Sequence, residues 1–354
     1  MFQSVTIKKH NLTISNHNVM LYDLLMTYDK LTKKKNLLDK YRPLDAALVR
    51  NLDDWFRIEL TYTSNAIEGN TLSRRETALV VEKGLTVGGK SLIEHLEAAN
   101  HAHALDWVKN KLTHNPQQIS EKDILLIHDM ILKGIDTGNA GQYRKVAVRI
   151  SGSTVVLPNP LKVPDLMSDF TDYLNGVLDI HPIELAAEAH YRLVTIHPFV
   201  DGNGRTARLL MNMILLMQGY PPAIIRKQDR LSYIGSLEKA QLGGSKSDYF
   251  KIITNAVDRS LDIYIKSIKG DIENQDNQFA LLKIGELCKE VGENSSTIRH
   301  WTKEGILEVS DITKSGYQLY SRDMIDRIKY INLLKEQRFT LKEIKEKLLN
   351  NVSI

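Results

Sequence analysis

Apolar residues recur with near-helical spacing over most of the first 110 residues. In the segment 45–60 they lie three or four positions apart for most of its length, as one face of a helix requires. These residues are Leu48, Leu52, Trp55, Ile58 and Leu60. An Ala- and Leu-rich segment, 94–107, predicts another helix. Residues 1–110 are therefore predicted to form a helical region.

A different pattern covers residues 141–157. Val146, Val148 and Ile150 occupy alternate positions, and the chain can then turn at Ser151-Gly152-Ser153. A second apolar run follows at once, and prolines end it. The alternation predicts a short β-hairpin within an otherwise helical protein.

Residues 165–265 return to helical spacing. One predicted helix runs from Pro182 to about Ile196, and another starts near Arg205 and stops before Gly219. The polar stretch around 270–277 is typical of a linker. The 354 residues suit two or three domains, and we divide the chain into the units 1–110, 111–268, 269–280 (a linker) and 281–354.

Composition excludes several classes of protein. Hydrophobic residues make up 42% and charged residues 25%, as in globular proteins, and the net charge of +4 is too small to indicate nucleic acid by itself. The single cysteine, Cys288, excludes an intrachain disulfide and fits a reducing compartment. No signal peptide and no membrane-spanning run is evident, so we expect a cytoplasmic protein without a membrane partner.

The segment between the two predicted helices carries the chemistry. Gly202 and Gly204 allow a tight turn whose N–H groups can surround an anion at the start of a helix. Arg205 and Arg208 lie on one face of that helix and can bind a polyphosphate. Asp201 can hold the metal of a nucleotide.

His197, just before this turn, has a suitable pKa to accept a proton near neutral pH. A base, a metal carboxylate, an anion site and two arginines together suit the transfer of a phosphorus group to a hydroxyl. No Walker loop, catalytic triad or zinc-ligand spacing is present in the sequence.

Residues 197–208 read His-Pro-Phe-Val-Asp-Gly-Asn-Gly-Arg-Thr-Ala-Arg. This segment resembles the Fic motif, His-Pro-Phe-x-Asp-Gly-Asn-Gly-Arg-x-x-Arg, at every specified position. The resemblance implies an all-α fold, a helical bundle with the hairpin as a flap. It also implies an enzyme, a protein adenylyltransferase that transfers AMP from ATP to a Ser, Thr or Tyr hydroxyl of a protein, including its own chain.

The same resemblance assigns roles to the residues of the motif. His197 would deprotonate the hydroxyl, and Asp201 would hold Mg²⁺ or Mn²⁺ between the α- and β-phosphates. Gly202, Asn203 and Gly204 would bind phosphate oxygens.

The remaining nucleotide contacts follow from the same resemblance. Arg205 and Arg208 would contact the β- and γ-phosphates. Tyr233 and Gln241 fall where the family places adenine contacts, although simple helix packing explains Tyr233 equally well. The flap would pair with an extended segment of the target.

A second Fic motif lies upstream. Ser64 and Glu68 are four positions apart and share a helical face, and Gly69 follows. They resemble the inhibitory motif Ser/Thr-x-x-x-Glu-Gly/Asn, which implies that Glu68 pairs with Arg208 and keeps it from the γ-phosphate. Whether Glu68 also helps to remove AMP is left open.

The C-terminal unit, 281–354, predicts a helix, a tight turn, a second helix, a wing and two further helices. It resembles the winged helix-turn-helix head of MerR-type regulators, which implies that Arg299 contacts DNA in the major groove. Gln318 stands where that family usually has arginine, and the unit carries only 13 Lys/Arg against 11 Asp/Glu. DNA binding and protein docking therefore both remain open.

Two other functions compete with the adenylyltransferase. A nucleotide-sensing DNA-binding regulator is the main alternative, but nucleotide binding alone does not require a base such as His197. A Fic-fold phosphotransferase or toxin is disfavoured by the intact Gly-Asn-Gly and the second arginine. Homodimers are common among such relatives, and the sequence leaves the oligomeric state open.

Overall fold

A computed structural model describes residues 16–114, 118–176, 180–268, 281–313 and 316–350. Helices dominate the first three ranges. They are α1 (Asn16–Asp39), α2 (Ala46–Ile67), α3 (Arg74–Lys83), α4 (Leu92–His114), α5 (Glu121–Leu132), α6 (Val163–Gly176), α7 (Pro182–Ile196), α8 (Asn203–Met217), α9 (Arg230–Gln241) and α10 (Ser247–Ile268). The predicted all-α class is therefore confirmed.

Side-chain caps fix where several of these helices begin. Asp45 accepts hydrogen bonds from two N–H groups in the first turn of α2. Ser73 and Glu76 form a reciprocal capping box at the start of α3, and Ser120 and Asp123 form one at α5. Each cap satisfies N–H groups that the helix itself leaves without partners.

Helix α8 occupies the centre of the bundle. Its residues from Arg205 to Leu215 are all buried, on every face of the helix. It packs against α7, and also against α2, α4 and α5. A helix that is buried all round must lie inside the fold, so the loop that enters α8 is held by the core itself.

The unit boundary predicted at 110/111 falls within α4. The main hydrophobic cluster includes Leu105 and Val108 before that boundary and Ile119, Leu193 and Leu210 after it. The end of α2, which carries Ser64, and the segment 197–208 thus share one core. The predicted linker, 269–280, lies entirely outside the described residues.

Residues 141–157 fold back as expected of a flap, but no β-strand is assigned in this described segment. The turn is closed by one hydrogen bond, from the Ser153 N–H to the Ile150 carbonyl at 3.2 Å. The prolines after the second arm lack the N–H groups that a strand ladder needs. The β-hairpin prediction is therefore right about the turn and wrong about the strands.

The C-terminal unit has its own core, separate from the main cluster, and it includes Leu287, Ile298, Trp301 and Ile328. Its helices are α11 (Ile284–Val291), α12 (Ser295–Lys303), α13 (Asp323–Glu336) and α14 (Leu341–Asn350). Three short strands, β1 (Leu282–Lys283), β2 (Asp311–Ile312) and β3 (Gln318–Tyr320), form an antiparallel sheet in the order β1-β3-β2. This agrees with a helix-turn-helix followed by a wing.

Across the described ranges, no helix combines the length and apolar character that crossing a bilayer requires.

Candidate active site

His197 ends α7 in a left-handed conformation, with φ of 51°. Its N–H donates to the Leu193 carbonyl at 2.8 Å, and its ring Nδ1 lies 3.3 Å from the Val194 carbonyl. A carbonyl beside Nδ1 assigns the hydrogen to that nitrogen, which leaves Nε2 with a free lone pair. Burial lowers the pKa of His197, and the Arg144 guanidinium acts in the same direction. The imidazole is therefore held neutral, as a base must be.

Asn203 folds the loop that follows His197. Its Oδ1 accepts from the Phe199 N–H at 3.0 Å, and its Nδ2 donates to the Phe199 carbonyl at 2.9 Å. Both ends of the side-chain amide are thus used inside the loop, which leaves the backbone N–H for a phosphate oxygen. The predicted phosphate contact of Asn203 stays a prediction, now restricted to its backbone.

His128, which the sequence did not single out, supports the loop from α5. Its ring stacks on Phe199 with centroids 3.6 Å apart. The Gly141 N–H donates to Nδ1 at 3.0 Å, so Nε2 carries the hydrogen and donates to the Asp201 carbonyl at 2.9 Å. Burial lowers the pKa of His128 to about 4, which keeps this tautomer at neutral pH.

The glycines of the loop are required by geometry. Gly202 has φ of 76°, and a Cβ there would lie 3.2 Å from the His128 ring. A Cβ at Gly204 would overlap the Glu68 carboxylate. The first hydrogen bond of α8 runs from Thr206 to Gly202. The N–H groups of residues 203–205 precede it and point out of the helix end, where an anion is stabilised.

Arg208 joins α8 to the segment of α2 that carries Ser64 and to Glu68. This side chain is 5% exposed. Its Nε donates to Ser64 Oγ and its Nη2 to the Ser64 carbonyl, both at 2.9 Å. The same Nη2 donates to Glu68 Oε1 at 2.6 Å. Burial raises the pKa of Glu68, but the guanidinium groups of Arg208, Arg205 and Arg230 together outweigh it, and the net shift is downward. The structure thus pairs Glu68 with Arg208, as the resemblance implied.

Arg205 faces the other side of the loop and is 3% exposed. Its Nη1 donates to Glu97 Oε1 on α4 at 2.7 Å, and its Nη2 donates to Asp201 Oδ2 at 3.3 Å. Its buried Nε has no hydrogen-bond partner within the described ranges. Arg205 is therefore anchored by Glu97, a residue absent from our sequence-based site, and its predicted phosphate contact stays a prediction.

Asp201 is the carboxylate that fits a nucleotide-bound metal. Its side chain is 66% exposed, and Oδ1 accepts from the Gly202 N–H at 2.6 Å. Within the described residues, no three His, Cys, Asp or Glu side chains converge on one point. A single open carboxylate suits Mg²⁺, which takes its remaining ligands from phosphates and water.

Tyr233, predicted as an adenine contact, lies behind Arg208 and is 2% exposed. The Arg208 guanidinium acts electrostatically on its hydroxyl and lowers its pKa, against the larger effect of burial. The hydroxyl donates to His190 Nε2 at 2.6 Å. His190 Nδ1 in turn donates to the Tyr249 hydroxyl at 2.9 Å, and Tyr249 donates to the Ala187 carbonyl. Because burial lowers the pKa of His190 to about 3, the ring is neutral and this series of hydrogen bonds has one direction.

Gln241, the other predicted adenine contact, ends α9 beside the last turn of α7. Its Nε2 lies 3.3 Å from Thr195 Oγ1 and 3.4 Å from the Val194 carbonyl. The side chain is half-buried. The adenine contacts of Tyr233 and Gln241 stay predictions.

Arg299 lies on the exposed face of α12. Ile298 and Trp301 of the same helix point into the core of the C-terminal unit. The opposite face is thus free to meet a groove, and the DNA contact predicted for Arg299 stays a prediction.

Fold and site together define a helical bundle in which a histidine adjoins an anion-binding helix end. A family profile described as Fic/DOC family matches residues 118–215, and one described as MerR HTH family regulatory protein matches residues 282–351. Among solved structures, Fic-1 (residues 134–508) from C. elegans is 34% identical with a TM-score of 0.65, covering 72% of this chain and 76% of that one. A Fic-domain signaling protein from Bacteroides thetaiotaomicron is 31% identical with a TM-score of 0.61, covering 69% and 97%.

The chain belongs to the Fic/DOC family. Among curated relatives, the protein adenylyltransferase Fic of Culex quinquefasciatus is 38% identical over 240 residues, which is 67% of this chain and 47% of that protein. The protein of the same name from Nematostella vectensis is 38% identical over 241 residues, 68% and 56% respectively. The chain thus spans about half the length of the curated relatives it matches.

Proposed function

We propose that this protein is an adenylyltransferase that transfers AMP from ATP to a Ser, Thr or Tyr hydroxyl of a protein, including its own chain. The observation that carries the proposal is the position of His197, a neutral base at the end of α7, directly before the N–H groups that open α8. Similarity to curated adenylyltransferases over two thirds of this chain supports it.

The reaction uses these residues in sequence. The attacking hydroxyl gives its proton to His197 Nε2 as its oxygen bonds to the α-phosphorus of ATP. The bond from that phosphorus to the α,β-bridging oxygen breaks, and pyrophosphate leaves with the electron pair. The N–H groups of residues 203–205 and the guanidinium groups of Arg205 and Arg208 stabilise the charge that develops on the phosphates.

Asp201 would hold the divalent cation, Mg²⁺ or Mn²⁺, that accompanies the triphosphate. The bound cation would neutralise charge on the α- and β-phosphates. Asp201 is suited to this because its carboxylate is exposed and its backbone carbonyl is fixed by His128.

Glu68 would keep the resting protein inactive. Its carboxylate bonds to Arg208 and covers Gly204 at the start of α8, where a phosphate is expected. A carboxylate and a phosphate compete for the same guanidinium and the same helix end. Because the Glu68 side chain is 38% exposed, it can leave without unpacking the core.

Release of AMP from modified protein, compared between wild type and Glu68→Gln, tests whether Glu68 also assists removal.

The experiment that tests the function uses Glu68→Gly protein with ATP labelled on the α-phosphate. We expect label on protein, release of pyrophosphate, and loss of both in Glu68→Gly/His197→Ala, with ATP binding retained. Glu68→Gly/His103→Ala is the matched control, because His103 is exposed on α4. Transfer that survives the loss of His197 would contradict the role of the base.

A DNA-binding regulator is the second candidate, because α12 presents Arg299 on an exposed face within the MerR-like unit. Gel shifts with random duplex DNA over a range of salt concentrations test it. DNA binding through α12 predicts a gel shift that weakens as the salt concentration rises and in the Arg299→Ala variant. Absence of a shift at low salt would leave protein docking as the role of this unit.

A further inference from the structure

Arg144 is a buried charge between the two arms of the flap and the segment that carries His197. The side chain is 2% exposed. Its Nε donates to the His197 carbonyl at 2.8 Å, its Nη1 to the Val146 carbonyl at 3.2 Å and its Nη2 to the Pro158 carbonyl at 2.6 Å. Arg144 and Val146 lie on the first arm of the flap, and Pro158 directly follows the second arm. One guanidinium therefore joins the two arms where they leave the bundle and also bonds to the carbonyl of His197.

The backbone of Arg144 adds a fourth contact. Its N–H donates to the Pro198 carbonyl at 2.9 Å. Side chain and main chain therefore hold the consecutive carbonyls of His197 and Pro198. These carbonyls lie at the C-terminal end of α7, the negative end of the helix dipole, where a cation is stabilised.

The contacts of Arg144 replace those that the flap lacks. No strand ladder joins the arms in the described residues 141–157, and the described hydrogen bond between main-chain atoms at the turn spans only Ile150 to Ser153. At the tip, Ser153 Oγ and the Thr154 N–H bond to Glu238 of α9. At the other end of the flap, where its arms leave the bundle, the described bonds between the arms are those of the Arg144 guanidinium.

A fixed flap matters for the proposed chemistry. A target segment lying along the flap would present its hydroxyl to His197. The distance between that hydroxyl and the His197 ring would depend on how far the flap lies from the segment that carries His197. A displacement of about 1 Å between reacting groups can lower a rate by about 10²-fold. A guanidinium is suited to set this separation because its donors are arranged in a rigid plane, whereas lysine has a single donor centre.

We propose that Arg144 is a positioning residue, which fixes the flap relative to His197 by bonding to both arms and to the His197 carbonyl. This rests on the proposed adenylyl transfer, but its effect on the flap is independent of that activity. Arg144 does not touch the nucleotide in this view. Its loss should reduce transfer without reducing ATP binding.

The test monitors the flap directly. Val156 is 92% exposed on the second arm, and Cys288 is the protein's single cysteine. A spin label on Val156→Cys in full-length Glu68→Gly/Cys288→Ser protein therefore reports flap mobility. Arg144→Gln removes the positive charge and the planar set of guanidinium donors. Arg144→Lys keeps the charge but lacks that planar set of donors.

A matched control is available in Arg259→Gln. The Nη2 of Arg259 donates to the Ile224 carbonyl at 3.2 Å and lies 3.6 Å from Asp229 Oδ2, and neither partner belongs to the flap. This variant reports the general effect of losing a partly buried arginine that bonds to a carbonyl.

We expect Arg144→Gln to increase label mobility and to lower self-modification at saturating ATP by about tenfold or more. The Kd for ATP should change less than twofold, and Arg144→Lys should restore only part of the order. Unchanged mobility in Arg144→Gln, or an equal change in Arg259→Gln, would overturn the proposal. A parent protein that transfers no AMP would refute the proposed function alone, because label mobility and ATP affinity would still test Arg144.

Discussion

Glu68 and Arg208, 140 positions apart in the chain, are joined by a hydrogen-bonded ion pair with 2.6 Å between Oε1 and Nη2. Glu68 is the residue that follows the last turn of α2, and Arg208 lies in the second turn of α8. The carboxylate thus comes from the periphery of the bundle and the guanidinium from its centre. Only the acidic partner can be displaced without disturbing the core.

Removing Glu68 should activate the protein. We expect Glu68→Gly to raise self-modification with labelled ATP by about tenfold or more, which corresponds to ~1.4 kcal/mol or more of barrier. The physical reason is that Arg208 and the first turn of α8 become available to the triphosphate.

The control for this prediction is Glu304→Gly. Glu304 also follows the last turn of its helix, α12, and also precedes a glycine, but it lies in the C-terminal unit. Equal rates for Glu68→Gly and wild type would contradict autoinhibition. Equal activation in Glu304→Gly would show that the effect is not specific to the site.

Tyr233→Phe should weaken ATP binding. The hydroxyl interacts electrostatically with Arg208 and donates to His190 Nε2. Its loss removes a polar neighbour from the interior side of the guanidinium and leaves a buried nitrogen without a donor. We expect a higher KM for ATP in the Glu68→Gly background and a loss of about 1–3 kcal/mol in the free energy of unfolding.

Tyr249→Phe separates these two effects. It removes the hydroxyl on the other side of the same histidine, with no described contact to Arg208. It should destabilise the fold to a similar extent, in thermal or urea unfolding, and leave the KM for ATP unchanged. A KM that rises equally in both variants would count against a specific role of Tyr233.

The pH dependence of transfer should follow His197. Its pKa lies below the ordinary value of 6.5, chiefly because of burial and also because of Arg144, whereas Glu68 and Asp201 act in the opposite direction. The neutral base therefore persists at lower pH. Transfer by Glu68→Gly should fall to half at a pH below 6.5, and the midpoint should rise in Arg144→Gln.

The measurement is the rate of self-modification at subsaturating ATP across pH, which reports the pKa of the nucleotide-free protein, with circular dichroism to confirm that the protein stays folded. A midpoint above 6.5 would exclude a depressed pKa for the base. A midpoint that stays in place in Arg144→Gln would assign the whole shift to burial.

The helices and the Fic motif were predictable because their signals are local. Caps such as Asp45 and the run that begins with His197 need only neighbouring residues. The ion pair of Glu68 and Arg208 joins distant segments, and it was predicted only from the resemblance to a known motif.

Residues that act through distant partners could not be found in this way. His128, Glu97 and Arg144 reach the loop from α5, from α4 and from the flap. Nothing in their local sequence distinguishes them from ordinary helix or loop residues. The flap strands were predicted from alternation alone, which carries no information on whether the arms are joined by a main-chain ladder or by a side chain such as Arg144.

The directed hydrogen bonds from Tyr233 through His190 and Tyr249 to the Ala187 carbonyl have a consequence for switching. Every donor in this series already has its acceptor, whichever anion lies in front of Arg208. Exchange of a carboxylate for a phosphate therefore needs no repacking behind the guanidinium. The movement it requires is confined to the Glu68 side chain, while Ala66 and Ile67 at the end of α2 stay buried.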